Sequence, residues 1–426
     1  MRLKSKIVII ASTLAATAFC VVLALNFAIA DKRVERKIET LYTVANPQFM
    51  RTMGVMLGPV LLPGNRAEVL LNGDDILPSM LAAIRGAQKT ISFETYIYWS
   101  GKVGQDFADA LSERARAGVK VHVLVDWVGS SKMKDEYIDE MTKAGVEIRR
   151  YNKPHWYTMG RFNNRTHRKL LVVDGRIGFT GGVGIADEWS GHAQDPAHWR
   201  DSHFRIEGPV VAQMQTAFLD NWIEVTGEVL HGDAYFPPLA PTGVHYAQVF
   251  TSSPGGGSEN MQMMYLLSIA AAANTIRLSA SYFVPDEVAL AMFGAALKRG
   301  VKVQIILPGP HMDAAVVRQA SRSTWGALLR AGAEIYEYQP TMYHCKVMVV
   351  DDLWTSVGST NFDNRSFSIN DEANLNIYNG EFARQQTRVF NDDLKNSRRI
   401  TLAEWENRAW TEKLWEHTLG LFNPQL

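Results

Sequence analysis

The amino-acid sequence predicts an α/β body made of two copies of one unit, preceded by a single membrane-spanning helix. Three observations lead to this fold class. A long uncharged run lies near the N-terminus, two stretches of the chain align with each other without a gap, and both stretches alternate helix-like and strand-like patterns. With 426 residues, of which 46% are hydrophobic, the chain can bury a sizeable core, which excludes a mainly disordered protein.

The first predicted element is a transmembrane helix over residues 7–30. The run from Ile7 to Ala30 holds 24 residues without a charge, and as a helix it is roughly 36 Å long, enough for a hydrocarbon core of about 30 Å. The alternative is a cleaved signal peptide, because Ala28-Ile29-Ala30 fits an A-x-A cleavage site. The run exceeds the ~7–15 residues of a signal-peptide core, so we favour an uncleaved, single-pass anchor in the cell membrane. Basic residues flank the run on both sides, which leaves the orientation open.

Residues 31–64 are interpreted as a stalk or linker between this helix and the body. Part of the segment is an apolar stretch interrupted by glycine and proline. This stretch either contacts the bilayer surface or packs against the body, and the sequence alone leaves both alternatives open.

The body divides into a first repeat over residues 65–240 and a second over residues 241–426. Residues 76–98 align without a gap on residues 261–283, and in both copies a helix precedes an apolar strand. A second helix and strand and then a third strand follow in each copy, and the helices end at glycines. The strands are nearly continuous apolar runs, which predicts a sheet covered by helices on both faces. Because each half is sparse in polar chemistry, a site at their interface is expected.

One chemical motif follows the third strand of each repeat. Both copies have the pattern H-x-K-x4-D, at His167, Lys169 and Asp174 and at His344, Lys346 and Asp351. Because residues i and i+2 of a strand face the same side, each histidine is predicted to point the same way as its lysine. Where the two copies meet, two imidazoles and two ammonium groups then form a pocket for an anion.

These side chains can catalyse displacement at phosphorus. A neutral imidazole attacks the phosphorus atom, and the opposite imidazolium protonates the leaving alkoxide. The lysines, with Ser359 and Asn361 after the second motif, are predicted to bind the phosphate and stabilise five-coordinate phosphorus. No metal ion or other cofactor is required, because the cationic side chains supply the electrostatic stabilisation.

The two motif aspartates, Asp174 and Asp351, are expected to be mainly structural. Asp174 lies seven residues after His167, an odd offset that places it on the opposite face of an extended chain and roughly 23 Å away. Both aspartates also stand in turn-like sequences. The carboxylates that orient the imidazoles should therefore come from later segments, and the candidates are Asp201 and Glu372.

The duplicated motif resembles that of the phospholipase D superfamily, whose members carry it twice. The sequence is most similar to bacterial cardiolipin synthases, from about Val69 to the C-terminus. Phrases that carry the similarity include Phe93-Glu94-Thr95-Tyr96, Trp199-Arg200-Asp201 and Gly358-Ser359-Thr360-Asn361. The resemblance implies two phospholipase D-like repeats that form one pseudo-twofold catalytic body, and it supports orienting acids at Asp201 and Glu372.

The resemblance also implies a phosphatidyltransferase. Such enzymes move a phosphatidyl group to the glycerol headgroup of phosphatidylglycerol through a phosphatidyl-histidine intermediate. The expected partners are membrane phospholipids, with phosphatidylglycerol as donor and acceptor, and the bilayer of a bacterial cytoplasmic membrane. The resemblance to the family also favours His167 as the nucleophile. The sequence departs from the family pattern at Gly182-Val183-Gly184-Ile185, which lacks the asparagine often found there, so Asn361 alone supplies a carboxamide.

Hydrolysis of phospholipids, by a phospholipase D or a phosphodiesterase, is the alternative, because it uses the same residues and differs only in the acceptor. A nuclease is disfavoured and no nucleic-acid partner is expected, because 44 basic residues balance 44 acidic ones, whereas nucleic-acid-binding domains are usually strongly basic. This balance still permits a local basic pocket. The two cysteines, Cys20 and Cys345, exclude a disulfide framework and a cysteine-based zinc site.

Overall fold

The computed structural model describes residues 3–28, 34, 36–153, 163–254, 259–410 and 412–413. The helices are α1 (Leu3–Ala28), α2 (Pro47–Met56), α3 (Asn72–Gly86), α4 (Lys102–Arg116), α5 (Asp135–Ala144), α6 (Val211–Thr226), α7 (Glu259–Ala271), α8 (Glu287–Lys298), α9 (Ala315–Ala331), α10 (Asn364–Ser368), α11 (Gly380–Lys395) and α12 (Leu402–Glu406). The end of the second predicted repeat, after residue 413, lies outside the described residues.

The strands of the first half are β1 (Leu62–Leu71), β2 (Thr90–Thr95), β3 (Lys120–Asp126), β4 (Glu147–Tyr151), β5 (Arg165–Thr166), β6 (Leu170–Val173), β7 (Ile177–Gly181) and β8 (Ser202–Glu207). Those of the second half are β9 (His245–Ser252), β10 (Thr275–Ala280), β11 (Phe283–Val284), β12 (Lys302–Pro308), β13 (Glu334–Tyr338), β14 (Lys346–Val350), β15 (Trp354–Gly358), β16 (Phe362–Asp363), β17 (Asn370–Tyr378) and β18 (Ser397–Ile400).

The two halves join in one 16-stranded sheet, whose centre is the antiparallel pair β1 and β9. Outward from this pair the first half has the order β1-β8-β7-β6-β2-β3-β4, and the second has the matching order β9-β17-β15-β14-β10-β12-β13, with β18 added at its edge. The short strand β5 of the first half pairs with β17 of the second. This repeated order confirms the predicted α/β body of two repeats.

The sequence pattern explains why the central strands are interior. Every residue of β2 and of β14 is buried, as the continuous apolar runs predict for a sheet covered on both faces. Helices α5 and α9 both end at a glycine with a left-handed backbone, Gly145 at φ 100° and Gly332 at φ 99°. Glycine adopts this conformation without the steric cost that a β-carbon brings, so the chain can turn directly into the next strand.

The two halves share a hydrophobic core. Helix α6 packs on β6 and β9, and α11 packs on β14 and β15. One apolar cluster therefore contains residues from both halves, among them Leu170 and Val172 of β6 and Val347 and Val349 of β14. Because this core couples the repeats, the segments that follow β5 and precede β14 are held at a common interface.

Part of the predicted stalk belongs to the body. In α2, Phe49 and Met53 are buried in the core of the second half. The Phe49 ring packs edge-on against Trp354, with 5.0 Å between the ring centroids. Residues 44–57 thus include a part that packs against the body, which is one of the two alternatives that the sequence leaves open for this segment. Strand β1 also starts at Leu62, before the predicted boundary at residue 65.

The predicted transmembrane helix over residues 7–30 overlaps α1, and its last two residues lie outside the described part of the chain. Among the residues that the structure describes, no helix combines the length and the apolar character needed to cross a membrane.

Candidate active site

A cavity of about 250 Å³ lies between the two halves. The motif residues His167, Lys169 and His344 line it, together with Asn361. The rest of its wall contains aromatic and charged side chains from both halves, among them Tyr96, Arg165, Trp189, Trp199, Tyr282, Asp313 and Arg365. The two motifs therefore meet in one cavity.

Each histidine is hydrogen-bonded to an acid from the opposite half. Nδ1 of His167 lies 2.9 Å from Oε1 of Glu372, and Nδ1 of His344 lies 2.8 Å from Oδ2 of Asp201. Both carboxylates are fully buried. Since an ionised carboxylate only accepts hydrogen bonds, each Nδ1 carries the proton, and Nε2 is the nitrogen left for chemistry.

The two carboxylates stay ionised in spite of their burial. Burial alone raises the pKa of Glu372, but His167 and Lys169 lower it overall. In the same way, burial opposes ionisation of Asp201, and His344 followed by Lys346 brings its pKa below the usual value. Each acid therefore holds the proton donor of its histidine with a charge-assisted hydrogen bond.

Of the two histidine–lysine pairs, which were predicted to lie on strands, only Lys346 is part of one, at the start of β14. Residues 167–169 lie between β5 and β6, and His344 lies just before β14. Each lysine instead bends back on its own motif, with Nζ of Lys169 donating to the His167 carbonyl at 2.8 Å and Nζ of Lys346 to the His344 carbonyl at 2.9 Å. These backbone contacts, rather than strand periodicity, keep each ammonium group beside its imidazole.

The cavity favours binding of an anion. Burial lowers the pKa of His167 to about 4, and the adjacent Lys169 contributes while Glu372 opposes. Burial likewise lowers the pKa of Lys169 to about 7. Burial therefore disfavours the charged forms of both bases. A bound phosphate offsets part of this effect, because its negative charge favours the protonated form of each nearby base.

Asp174 and Asp351 lie at turns and not on the cavity wall. The carboxylate of Asp174 accepts hydrogen bonds from the N–H groups of residues 88–90. That of Asp351 accepts from the N–H groups of residues 273–275, which precede and begin β10. Both positions have a left-handed backbone, at φ 52° and 53°. Their geometry therefore favours a structural role over contact with substrate.

We expect Asp351→Asn to lower stability and to leave the chemistry intact. Asparagine tolerates the left-handed backbone but lacks the charge that holds three N–H groups, so the free energy of unfolding should fall by about 1–2 kcal/mol. Urea unfolding measures the change, with Asp392→Asn as the control, because that carboxylate is exposed and pairs only with Lys395 in the described chain. A fall of 100-fold in kcat at a temperature where the variant is folded would show that Asp351 contributes to the reaction.

Ser359 and Asn361 have different surroundings, although both were predicted to bind phosphate. Ser359 is fully buried, and its hydroxyl donates to Oε2 of Glu372, so it positions that acid and does not line the cavity. Asn361 lines the cavity, and within the described residues its buried Oδ1 has no hydrogen-bond partner. At Gly182, the counterpart of Ser359, a β-carbon would lie 2.2 Å from Oδ1 of Asp201, so the first half has no room for a serine.

Several aromatic residues around the histidines were not predicted as site residues. The Trp189 ring lies 5.2 Å from the His344 ring, and its Nε1 donates to Asp201 at 2.9 Å. The Tyr96 ring lies 5.2 Å from the His167 ring. Tyr96 and Trp199 occur in sequence segments that resemble the family, so the sequence could have indicated both as site residues. Nothing in the sequence distinguishes Trp189 or Asp313 from ordinary core and loop residues.

Comparison with known proteins agrees with this architecture. A protein-family model described as "Cardiolipin synthase, PLD-like domain" matches residues 80–222 and 265–394. The chain belongs to this phospholipase D-like family of cardiolipin synthases. Cardiolipin synthase 2 of Bacillus anthracis is 34% identical over 362 residues, which cover 84% of this chain and 70% of that protein. The cardiolipin synthase of Geobacillus kaustophilus is 35% identical over 371 residues, 86% of this chain and 74% of that protein.

A relative from another bacterial group and two solved structures extend the comparison. Cardiolipin synthase A of Pseudomonas syringae pv. syringae is 33% identical over 383 residues, 88% of this chain and 78% of that protein. The crystal structure of phosphatidylserine synthase from Haemophilus influenzae matches with a TM-score of 0.66 at 14% identity, over 88% of this chain and 97% of that one. Polyphosphate kinase from Porphyromonas gingivalis matches with a TM-score of 0.52 at 11% identity, over 89% of this chain and 54% of that one. At these identities the two structures share the fold with the phospholipase D-like chain.

Proposed function

We propose that this phosphatidyltransferase makes cardiolipin from two molecules of phosphatidylglycerol and releases glycerol. The observation that carries the proposal is the pair of buried histidines, each oriented by an acid of the other half and facing one cavity. Such a pair offers two Nε2 atoms, one on each side of a bound phosphodiester. One attacks phosphorus and the other exchanges a proton with the leaving or entering oxygen.

His167 is the nucleophile in this proposal. Its pKa of about 4 keeps the imidazole neutral at physiological pH, and Glu372 fixes the proton on Nδ1. Nε2 forms a bond to phosphorus while the bond from phosphorus to the glycerol oxygen breaks. The leaving alkoxide takes a proton from His344, and the product is a phosphatidyl-histidine with free glycerol.

His344 acts as the acid and then as the base. Burial and the Lys346 ammonium group lower its pKa, but two carboxylates, Asp201 and Asp313, act in the opposite direction, and an incoming phosphate adds a third negative charge. In the second step the terminal hydroxyl of the acceptor attacks phosphorus and its proton passes to His344. The new oxygen–phosphorus bond gives cardiolipin, and the breaking nitrogen–phosphorus bond returns neutral His167.

Lys169, Lys346 and Asn361 stabilise the charge on five-coordinate phosphorus in both steps. The ammonium groups sit beside the two imidazoles, and Asn361 offers a carboxamide at the cavity wall. In a buried cavity such fixed donors act more strongly than in water, because solvent does not screen them. We assign Asp174 and Asp351 to the turns that support the motifs.

We further propose that the protein works at a bacterial cytoplasmic membrane, to which the uncharged run of residues 7–30 anchors it as a single span. The two repeats, residues 65–240 and 241–426, act in this proposal as one catalytic body. An anchor keeps that body close to its lipid substrates. Phospholipids and the bilayer are then its partners, and nucleic acid is not.

One assay tests the proposed function. The full-length protein is incubated in mixed micelles with phosphatidylglycerol that carries one label on its acyl chains and another on its headgroup glycerol. We expect labelled cardiolipin and free glycerol in equal amounts. Phosphatidic acid with free glycerol and no cardiolipin would identify a hydrolase, and unchanged lipid would contradict an enzymatic role for the site.

A further inference from the structure

A buried ion pair between the two halves has no part in the phosphoryl transfer described above. Arg200 precedes β8 in the first half, and Asp393 lies in α11 of the second half. Two parallel hydrogen bonds join them, from Nε of Arg200 to Oδ1 of Asp393 at 2.8 Å and from Nη2 to Oδ2 at 2.9 Å. Arg200 is 4% exposed and Asp393 is 7% exposed. Neither residue lines the catalytic cavity, so any effect of the pair on the reaction passes through other residues.

Arg200 is next to Asp201, the acid that orients His344, and it fixes the chain around that acid. Its Nη1 donates to the carbonyl oxygen of Asp201 and to the hydroxyl oxygen of Ser202, the latter at 3.0 Å. The backbone of Arg200 also contacts the other half. Its N–H group donates to the carbonyl of Met342 at 2.9 Å, and its carbonyl accepts from the N–H group of His344 at 2.8 Å. The side chain and the backbone of one residue therefore connect the acid to the segment that carries its histidine.

Asp393 contacts the histidine segment as well as Arg200. Tyr343 is fully buried, and its hydroxyl donates to Oδ2 of Asp393 at 2.9 Å and lies 2.8 Å from Oγ of Ser279. Tyr343 directly precedes His344 in the chain. The carboxylate of Asp393 therefore bridges the segment of the orienting acid and the segment of the histidine, and the ion pair fixes the distance between them.

The other hydrogen bonds of the Asp201 carboxylate come from its own half. Within the described chain they are those from the indole N–H of Trp189 at 2.9 Å and from the N–H group of Ser202 at 2.8 Å. These bonds orient the carboxylate relative to the first half, but they do not hold it against His344 of the second half. Arg200 makes that connection, so loss of its ion pair is expected to loosen the contact between Asp201 and His344.

The nucleophile side is built differently. There β5 and β17 pair over two residues, and the N–H group of His167 donates at 2.9 Å to the carbonyl of Asp371, the residue before the orienting acid. The side chain of Asp371 forms no bidentate pair, since its Oδ1 lies 3.7 Å from Nη2 of Arg168. On the acid side an isolated bridge between Arg200 and Tyr343 stands in place of the β5–β17 pairing. The bidentate ion pair therefore reinforces the side with the shorter backbone pairing.

We propose that Arg200 and Asp393 are positioning residues for the acid of the reaction, and that their ion pair holds Asp201 against His344 across the interface. This inference rests on the proposed function, in which His344 protonates the leaving oxygen. A buried bidentate pair of opposite charges defines a single geometry. Removal of one partner leaves an uncompensated buried charge, which the chain relieves only by moving. The pair takes no proton and forms no bond to the substrate.

The test compares a substrate that needs the acid with one that does not. Phosphatidylglycerol needs it, whereas phosphatidyl-p-nitrophenol loses nitrophenolate without taking up a proton. For Asp393→Asn, at a temperature where the variant is folded, we expect turnover of phosphatidylglycerol to fall by about 10- to 100-fold. The rate constant of the first nitrophenolate release should stay within about threefold of the wild-type value, because attack by His167 does not depend on the acid. A role confined to the stability of the fold would lower both rates by the same factor.

Two further variants and a matched control complete the test. Apolar side chains of similar size often replace a buried ion pair without loss of stability. The double variant Arg200→Met with Asp393→Leu should therefore unfold at a urea concentration close to that of the wild type and still lose turnover of phosphatidylglycerol, which keeps the proposal testable if Asp393→Asn does not fold. Arg200→Lys keeps the charge but not the two parallel bonds, and its turnover should lie between those of the wild type and Asp393→Asn. Asp392→Asn is the control, because Asp392 is exposed on the same helix, and it should leave both rates unchanged.

His344→Ala, measured in parallel, distinguishes failure of this proposal from failure of the proposed function. Fast nitrophenolate release by His344→Ala, with equal loss of both rates in a folded Asp393 variant, would overturn the positioning role alone. Full turnover of phosphatidylglycerol by the folded double variant would overturn it as well. Absence of fast nitrophenolate release in His344→Ala would instead contradict the role of His344 as the acid, and the positioning role with it.

Discussion

His167→Ala and His344→Ala are each expected to lower turnover of phosphatidylglycerol by at least roughly 10⁴-fold, because the two imidazoles act as a unit in both steps. The carboxylates of Asp313 and Asp363 also line the described cavity, but they accept hydrogen bonds from the Tyr282 hydroxyl and the Ser366 N–H group, which makes them poorer nucleophiles than a neutral imidazole. The Lys169 ammonium group is tied to the His167 carbonyl, and neutral carboxamides and phenols attack far more slowly. Steady-state release of labelled glycerol measures the loss, and a remaining tenth of the wild-type rate in either variant would refute the two-histidine mechanism.

An activated substrate separates the roles of the two histidines. Phosphatidyl-p-nitrophenol has a leaving group that departs without a proton, so it does not need the acid. We expect His344→Ala to release nitrophenolate in a burst that approaches the wild-type rate constant, and His167→Ala to show no burst. A burst in His167→Ala and none in His344→Ala would reverse the assignment of nucleophile and acid.

Neutralising the acids should have the second-largest effect. Glu372→Gln and Asp201→Asn are expected to lower kcat by roughly 10³- to 10⁴-fold. Each amide can donate to Nδ1, which favours the wrong tautomer and removes the charge that steadies the imidazolium. The fold should persist, because the shape of each side chain is kept. Glu136→Gln, on the exposed side of α5, is the matched control and should retain full activity.

Because each histidine is oriented by an acid of the other half, the two acid variants should behave differently with the activated substrate. With phosphatidyl-p-nitrophenol, Asp201→Asn should still release nitrophenolate in a burst, because this substitution impairs only the acid His344. Glu372→Gln should show no burst, because it impairs the nucleophile His167. The double variant His167→Ala with Glu372→Gln should be no slower than His167→Ala alone, because the acid acts through its histidine. Additive losses in the double variant would mean that Glu372 contributes independently of His167.

The sequence predicts the duplicated body well because its signals are local. Helix periodicity, glycines at helix ends and buried strands repeat in the two copies, and in each copy the H-x-K motif follows the third matching strand. Asp201 and Glu372 could also be predicted, since the motif aspartates are placed too far from their histidines and the family resemblance supports acids at these two positions. The sequence alone does not show which acid contacts which histidine, because this contact depends on how β17 and β5 pair across the interface.

Other features depend on tertiary packing. The strand argument for the histidine–lysine pairs fails for His167, Lys169 and His344, which lie outside strands. Each pair nevertheless stays together, because its lysine contacts the backbone of its own histidine. Ser359 has a short polar side chain and follows the second motif, so the sequence predicts a phosphate ligand there. The structure shows instead that its hydroxyl contacts Glu372. The apolar residues of α2 suit a membrane surface and a protein core equally, and the position of Trp354 decides for the core.

The most direct test is to locate the covalent intermediate. The His344→Ala variant is mixed with phosphatidyl-p-nitrophenol, quenched at alkaline pH, where phosphohistidine survives, and digested for mass spectrometry. We predict a phosphatidyl group on Nε2 of His167, accumulated because the variant lacks the base for the second step. A phosphatidyl group on any other side chain, or nitrophenolate release without a covalent intermediate, would contradict transfer through His167 at the interface of the two halves.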